Sequence, residues 1–456
     1  MALTGVVVVV VAACAPGEAA VTTTTVSVVA TTASSIITTS TPAANATTTR
    51  LPDGYLMRLD PETMEPIPGL EPFVMDRDTW SQVSDDGSIL LQMRWDGAGR
   101  ATDARVIDVE RWEDLGTFDV GYHTARLVYE GTFFGYDDRS GRGLFAVDLA
   151  TGAESALAHW KHSLSFWDDL HVLSGGVIAG LGAAPSDVVD YVTHYSVYLH
   201  DPVSGERIIP VGPIDSANWH SGVFDGDYEI PIFDSPGVAW GDDRLFIVHA
   251  EELEVTEVDL TTGSVDTHQI DASSWLDRLL AFWMPAASAK GPSMGTYSSA
   301  ALSPDGRYLF VSGNRSDVEI EADGSLVEVQ EHLGLIVVDT ETWELVESPE
   351  LNIQFVRNAG GLILGIDTRV GKSVIHAYYL LEIDDGGALT YRGPFSTAGG
   401  WCDSTPDPTR LLCLQEGRAQ LIEFETMQPV AELDIGYEDM VHGIGVLEDW
   451  VPSALP

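Results

Sequence analysis

The chain has 456 residues, 45% of them hydrophobic types, which is enough to bury a large core in two or three domains or in one array of repeats. Its 70 acidic residues outweigh 23 basic ones to give a net charge of −47, and residues 1–50 contribute only Glu18 and Arg50 to that balance. A surface of this sign repels nucleic acid and anionic lipid, so a phosphate-backbone partner is excluded. Two readings of the acidity stay open: a solvated coat whose self-repulsion is screened by salt, or Ca²⁺ binding by clustered carboxylates.

Residues 2–13, ALTGVVVVVVAA, form an uncharged apolar run that ends at Cys14. The run is too short to cross a membrane as a helix but has the length of a signal-peptide apolar region. The alternative is a buried strand of the folded domain. Val11-Ala12-Ala13-Cys14 resembles a bacterial lipobox. That resemblance implies cleavage before Cys14, a diacylglyceryl anchor on it, and a mature protein held outside the cytoplasm on the bacterial cell membrane. Residues 1–13 are then a signal peptide. One feature departs from the pattern, since no Lys or Arg precedes the apolar run.

Residues 14–50 read as anchor and flexible linker. Twelve of the thirty residues from 21 to 50 are Thr, among Ala, Ser and Val, with no aromatic residue. Such a tract buries too little to offset its ordering entropy, so an extended tether is expected. Its Thr and Val content also carries β-propensity.

From residue 51 to 456 the chain repeats itself. An apolar run of period two ends in an acidic residue, followed by a turn that is often Thr-Gly and by another short run. The acidic positions are Asp60, Asp108, Asp148, Asp201, Asp259, Asp339, Asp384 and Glu425. Alternation packs one face of a strand, Asp bonds the turn backbone, and Gly supplies a positive φ, so each copy is an outer hairpin. Upstream of several copies stands an inner hairpin, sharpest in ALSPDGRYLFVSG (301–313) and QVSDDGSILLQM (82–93). These segments resemble the YVTN, TolB and WD40-like β-propeller families, fully at Ser303, Pro304, Asp305 and Gly306, and well at Asp148 to Gly152 and Asp259 to Gly263. The resemblance implies an all-β chain folded as a single β-propeller and says almost nothing about function. Spacing of the acidic positions at about 40–50 residues per blade gives eight blades, with seven the alternative count. The ring is expected to close by joining N- and C-terminal strands in one composite blade.

An insertion is expected at 271–296. DASSWLDRLLAFWM (271–284) reads as a short helix capped by Ser274, its apolar side either packed on the propeller or open to a partner. A second insertion, DVEIEADGSLVEVQE (317–331), has Ca²⁺-loop spacing at Glu319, Glu321, Asp323 and Gly324, but Gln330 stands where the final carboxylate belongs. A hairpin turning at Asp323-Gly324 explains it better.

Motifs with chemistry are few. Gly291, Ser293 and Gly295 match the nucleophile elbow by letter, without the strand before and helix after that the elbow needs. His159 and His162 stand alone, and no dense Cys/His group occurs, so no metal is expected. The run Ala146 to Gly152 is similar to the quinoprotein dehydrogenase repeat, but Ala156 and Thr267 occupy the position of that repeat's Trp. No cofactor is expected. Lipid on Cys14 leaves Cys402 and Cys413, which flank one tight hairpin and are expected to pair as a disulfide in an exported protein.

The expected function is a non-catalytic binding or interaction platform for an envelope protein, peptide or glycan, monomeric, touching the membrane through its lipid alone. Twelve Trp residues, among them Trp95, Trp219, Trp240 and Trp401, offer sugar stacking, with core packing as the competing use of each. The alternative is a propeller hydrolase or lyase with a cation-assisted carboxylate site at the channel mouth. A structural envelope lipoprotein without a ligand is the third reading. No catalytic residue is assigned, because such sites gather side chains from several blades.

Overall fold

The computed structural model describes residues 6–12, 54–60, 67–75, 79–83, 88–95, 101–118, 125–137, 143–157, 165–166, 170–183, 188–189, 192–214, 219–224, 228–233, 236–249, 254–270, 293–320, 326–346, 351–359, 362–370, 374–384, 387–398, 402–404, 409–415, 418–426, 428–434 and 444–447. Every regular element among them is a β-strand. The expected helix at 271–284 lies outside the described residues.

In chain order the strands begin with β1 (Val6–Ala12), β2 (Gly54–Leu59) and β3 (Phe73–Met75). A first four-stranded meander follows: β4 (Thr79–Val83), β5 (Ile89–Trp95), β6 (Ala101–Asp108) and β7 (Glu113–Phe118). The next is β8 (Ala125–Tyr129), β9 (Thr132–Asp137), β10 (Gly143–Asp148) and β11 (Glu154–Ala156). In the third, β12 (Ser165–Phe166) and β13 (His171–Leu173) both pair with β14 (Val177–Ala183), and a short β15 (Val188–Val189) precedes β16 (Val192–Asp201) and β17 (Gly205–Pro213). A separate two-stranded hairpin, β18 (Trp219–Phe224) with β19 (Tyr228–Phe233), interrupts the series.

The meanders resume with β20 (Gly237–Trp240), β21 (Arg244–Val248), β22 (Glu254–Asp259) and β23 (Val265–Gln269). Then come β24 (Ser293–Leu302), β25 (Tyr308–Ile320), β26 (Leu326–Asp339) and β27 (Leu345–Val346). The sixth is β28 (Phe355–Ala359), β29 (Leu362–Val370), β30 (Val374–Ile383) and β31 (Leu389–Ala398). The seventh is β32 (Cys402–Ser404), β33 (Arg410–Gln415), β34 (Arg418–Glu423) and β35 (Gln428–Asp434), after which β36 (Ile444–Leu447) ends the description.

The repeat is therefore the blade of a β-propeller, an antiparallel four-stranded meander. Seven blades are built from consecutive strands, which corrects the expected eight. The eighth was expected as a composite of the hairpin at Asp60 with C-terminal strands; β2 and β3 lie in a sheet of order β3-β2-β1-β36, which is not a meander of consecutive strands. The chain divides into two compact units, 1–157 with 397–456 and 158–396. The first holds the β4–β7, β8–β11 and β32–β35 blades with the mixed sheet; the second holds the other four blades.

Blades form where the sequence alternates, and neighbouring blades share the apolar faces so produced. Ile89, Leu91, Met93 and Val106 of one blade bury against Val128, Phe133, Phe145 and Val147 of the next. In the second unit Leu181, Val197 and Leu199 meet Leu245, Ile247 and Val258. Phe246, Val248 and Val255 then meet Leu309, Val311 and Val338. Burial at about 25 cal/mol per Å² of apolar surface makes these seams the main stabilising term.

In five of the seven blades the third-to-fourth-strand turn follows one rule. The fourth residue after its Asp has positive φ: Gly152 at 69°, Gly205 at 90° and Gly263 at 79°. Two blades put Trp there, Trp112 at 55° and Trp343 at 60°. An L-residue in this region costs about 1 kcal/mol or more, and packing on the preceding sheet offsets it. The Trp112 ring lies 4.9 Å from that of Phe73, and its Nε1 donates to the Glu71 carbonyl at 2.8 Å. Trp343 stacks on His268 at 3.8 Å between centroids, with the ring planes 9° apart.

Candidate functional site

A meander has two unlike ends. One carries the turns between first and second and between third and fourth strands; the other carries the second-to-third hairpin and the connection to the next blade. Six of the acidic residues that mark the repeat, Asp108, Asp148, Asp201, Asp259, Asp339 and Asp384, hold turns at the first end. Asp148 accepts from the backbone N–H of Ala150 (3.0 Å) and Thr151 (2.8 Å) and from the Thr151 hydroxyl (2.8 Å). Asp259 accepts from the backbone N–H of Thr261 and Thr262, at 2.8 and 2.6 Å. Asp201 takes the Val203 N–H at 2.7 Å and the Ser204 hydroxyl.

These donors favour the ionised form, so each carboxyl sits below the usual aspartate range. The leading cause is the Thr151 hydroxyl for Asp148, the Ser204 hydroxyl for Asp201 and the Thr262 N–H for Asp259. Asp339 is the buried member, at 8% exposure. Burial pushes its carboxyl up, but the Glu341 N–H and the Arg307 guanidinium together outweigh that and hold it low. Arg307 donates to it through Nη2 at 2.8 Å and Nε at 3.0 Å. The Ser303-Pro-Asp-Gly turn is thereby fastened to the turn after Asp339, and Thr340 Oγ1 adds a 2.9 Å bond to the Arg307 carbonyl. All of these groups are occupied in holding turns.

The opposite end is where the second unit departs from minimal blades. Its second-to-third hairpins are long: β25 and β26 pair from Tyr308–Asp339 out to Ile320–Leu326, and β29 and β30 pair out to Val370–Val374. Between β14 and β16 the extra strand β15 pairs Val188 with Thr193. The connections from β17 to β20 and from β23 to β24 are also the longest of their kind, and both emerge at this same end. The first contains the β18–β19 hairpin, whose β19 lies beside β24. The β20–β23 blade thus has these two long connections before and after it in the chain, and the next blade carries the projecting β25–β26 ribbon. A propeller fold supplies rigid strands, and ligand contacts come from the connections they position.

The expected site residues fall as follows. Cys402 and Cys413 are directly opposed on β32 and β33, fully buried, and joined by a disulfide with Cα atoms 4.0 Å apart. Cys14, Trp401, His159 and His162 lie outside the described residues, as do 271–292 of the insertion at 271–296. Ser293 opens strand β24 rather than a strand-to-helix elbow. The Ca²⁺-like segment is strand as far as Ile320 and again from Leu326. Trp95 ends β5 and Trp219 begins β18. Trp240 stacks on His171 at 4.7 Å, which makes it a packing residue of the seam between two blades. Among the described residues no three His, Cys, Asp or Glu side chains gather to hold a metal, and no helix is long and apolar enough to cross a membrane.

The β18–β19 hairpin and the Arg307–Asp339 clasp went unread in the sequence. The first carries no repeat signal. The second links residues that only the second-to-third strand pairing brings together.

No protein-family model matches the chain, and no curated protein does. Among solved structures, apo AztD from Citrobacter koseri is similar at 8% identity and TM-score 0.46, over 98% of this chain and 99% of that one. BamB from Moraxella catarrhalis is similar at 12% identity and TM-score 0.38, over 82% and 89%. An oligogalacturonate lyase in complex with manganese is similar at 14% identity and TM-score 0.41, over 74% and 85%. These likenesses are of chain path and carry nothing about activity.

Proposed function

We propose that the protein is an extracytoplasmic binding platform, held on the cell membrane by lipid on Cys14. Its partner, an envelope protein, peptide or glycan, meets the added chain around the β20–β23 blade. One observation carries this reading: the long hairpins and connections of the second unit all emerge at the same end of its blades. The opposite end is closed by tight Asp-anchored turns. Chain added at one end of a rigid scaffold is what recognition by loops requires.

The hydrolase or lyase alternative needs carboxylates free to converge on a substrate. Asp201, Asp259 and Asp339 of the second unit are instead engaged in turns at the other end of their blades. The platform reading is tested by in-cell crosslinking and pull-down of the anchored protein beside its Cys14→Ser variant. A reproducible partner that disappears with the anchor supports it. Absence of any partner from both samples counts against it, as does membrane retention of Cys14→Ser equal to the parent.

A further inference from the structure

The fourth strand of each blade is a sheet edge, with one row of backbone N–H and C=O groups turned outward. In six of the seven blades that edge is blunted. β11 and β27 are three and two residues long. β7, β17 and β35 each shift register against their third strand. Pro210 and Pro213 stand in β17, Pro429 in β35 and Pro394 in β31, and a Pro has no N–H to offer a further strand. β23 has none of these devices. Its five residues, Val265 to Gln269, pair with β22 from Val258 to Glu254 without a shift.

This edge is also held firmly from behind. His268 stacks on Trp343 of the next blade at 3.8 Å, and Gln269 Nε2 donates to Glu254 Oε2 at 2.6 Å. The alternation of an antiparallel ladder then fixes which groups face outward. The Asp259 N–H bonds the Ser264 carbonyl, and on the other side of β22 the His249 N–H bonds the Glu254 carbonyl. Asp266 and His268 therefore turn their backbone groups to β22, while Thr267 and Gln269 turn theirs to the free edge. Thr267 and Gln269 are both exposed.

One side chain decides what this edge accepts. Asp266 stands directly opposite Glu257, a like-charge pair across the ladder. Glu257 is engaged by Arg244 Nη1 at 3.4 Å and by His268 Nε2 at 2.9 Å. Asp266 is exposed and pairs with no described cation. A second copy of this chain is a poor occupant, because it brings its own Asp266 and a net charge of −47. A cationic strand is a good one. Its residue opposite Asp266 falls in a non-hydrogen-bonded pair, where side chains approach most closely, and a Lys or Arg there answers the carboxylate that the ladder leaves unmatched.

We propose that β23 is the strand on which the platform receives its partner, by addition of an extended protein or peptide segment that carries Lys or Arg opposite Asp266. This rests on the platform reading and narrows its partner to a polypeptide.

The test adds two end-blocked peptides of about eight residues to the full-length protein in detergent, one alternating Lys with Val and the other Glu with Val. Hydrogen–deuterium exchange is the readout. The Lys peptide should slow exchange across 264–270 at least ~10-fold, the Glu peptide should not, and added salt should weaken the effect. Asp266→Lys should abolish it. So should Thr267→Pro, which removes an outward N–H and leaves the ladder to β22 intact. The exchange of one peptide for the other needs no variant, so it decides the matter even where a variant fails to fold. Equal protection by both peptides, protection by neither, or dimerisation through β23 in their absence overturns the proposal. In cells, partner crosslinks that persist in Thr267→Pro remove this edge and leave the platform reading standing. Peptide protection with no cellular partner keeps the edge as a binding site and overturns the platform reading.

Discussion

Trp112 gives a quantitative test of how the blades interlock. It is 7% exposed and holds a φ of 55°, with its indole on Phe73 and its Nε1 bonded to the Glu71 carbonyl. Truncating a buried Trp costs about 3–5 kcal/mol. Trp112→Ala removes the ring and keeps a side chain in the left-handed region, so the full loss applies. Trp112→Gly removes the same ring but relieves about 1 kcal/mol of backbone strain, leaving a net loss of about 2–4 kcal/mol. Glycine should therefore be the better tolerated residue, the reverse of its rank in an ordinary strand. Urea unfolding followed by far-UV circular dichroism measures both variants. Equal midpoints, or alanine the more stable, would refute the claim that native packing holds this turn strained. A loss below about 1 kcal/mol in both variants would refute the docking of Trp112 on the mixed sheet.

Three further outcomes follow from the turns and the bridge. Asp339→Asn should cost about 1 kcal/mol at pH 7 by weakening the Arg307 clasp. Because the folded carboxyl is held below its unfolded value of about 3.9, the wild-type advantage is present above pH 4 and should close as pH falls through the lower folded value; parallel unfolding curves at pH 7 and pH 3 check it. Gly152→Ala brings Cβ to 2.7 Å from the Phe118 ring, whereas Gly205→Ala meets nothing within 4 Å. Both pay for positive φ, but thermal melts should show Gly152→Ala the more destabilised by about 1 kcal/mol or more. Reducing the Cys402–Cys413 bond, which spans 11 residues, should remove about 2–3 kcal/mol in urea titrations with and without reductant.

The outer hairpins were the most legible part of the chain because their chemistry is local. An Asp that caps its own turn and a residue of positive φ four positions later show in the sequence at 148–152, 201–205 and 259–263. Inner hairpins were legible only where a turn signature was written, as at Ser303 to Gly306. The β8–β9 hairpin turns on Glu130 and Gly131, both at positive φ, and the β13–β14 hairpin turns through 174–176; neither advertises itself by the usual Asn or Asp. The blade count failed at Asp60 because an outer-hairpin signal does not show whether a full meander of four consecutive strands goes with it. Trp112 and Trp343 were invisible as turn residues, since packing on a neighbouring sheet, not propensity, selects them. The candidate site is less legible still, being defined by which end of a sheet a connection leaves from, and that follows only once every strand has been placed.

The central claim, that recognition occurs where the added chain emerges, is tested most directly by photo-crosslinking the anchored protein in cells from single positions at the two ends of the second unit's blades. A photoreactive side chain at Asp225, between β18 and β19, or at Asp323, between β25 and β26, should yield a discrete adduct that is absent with Cys14→Ser. The same group at Val203 or Thr262, in the tight turns of the other end, should yield none. Adducts from Val203 or Thr262 in place of the first pair, or no adduct from any of the four, would contradict the account.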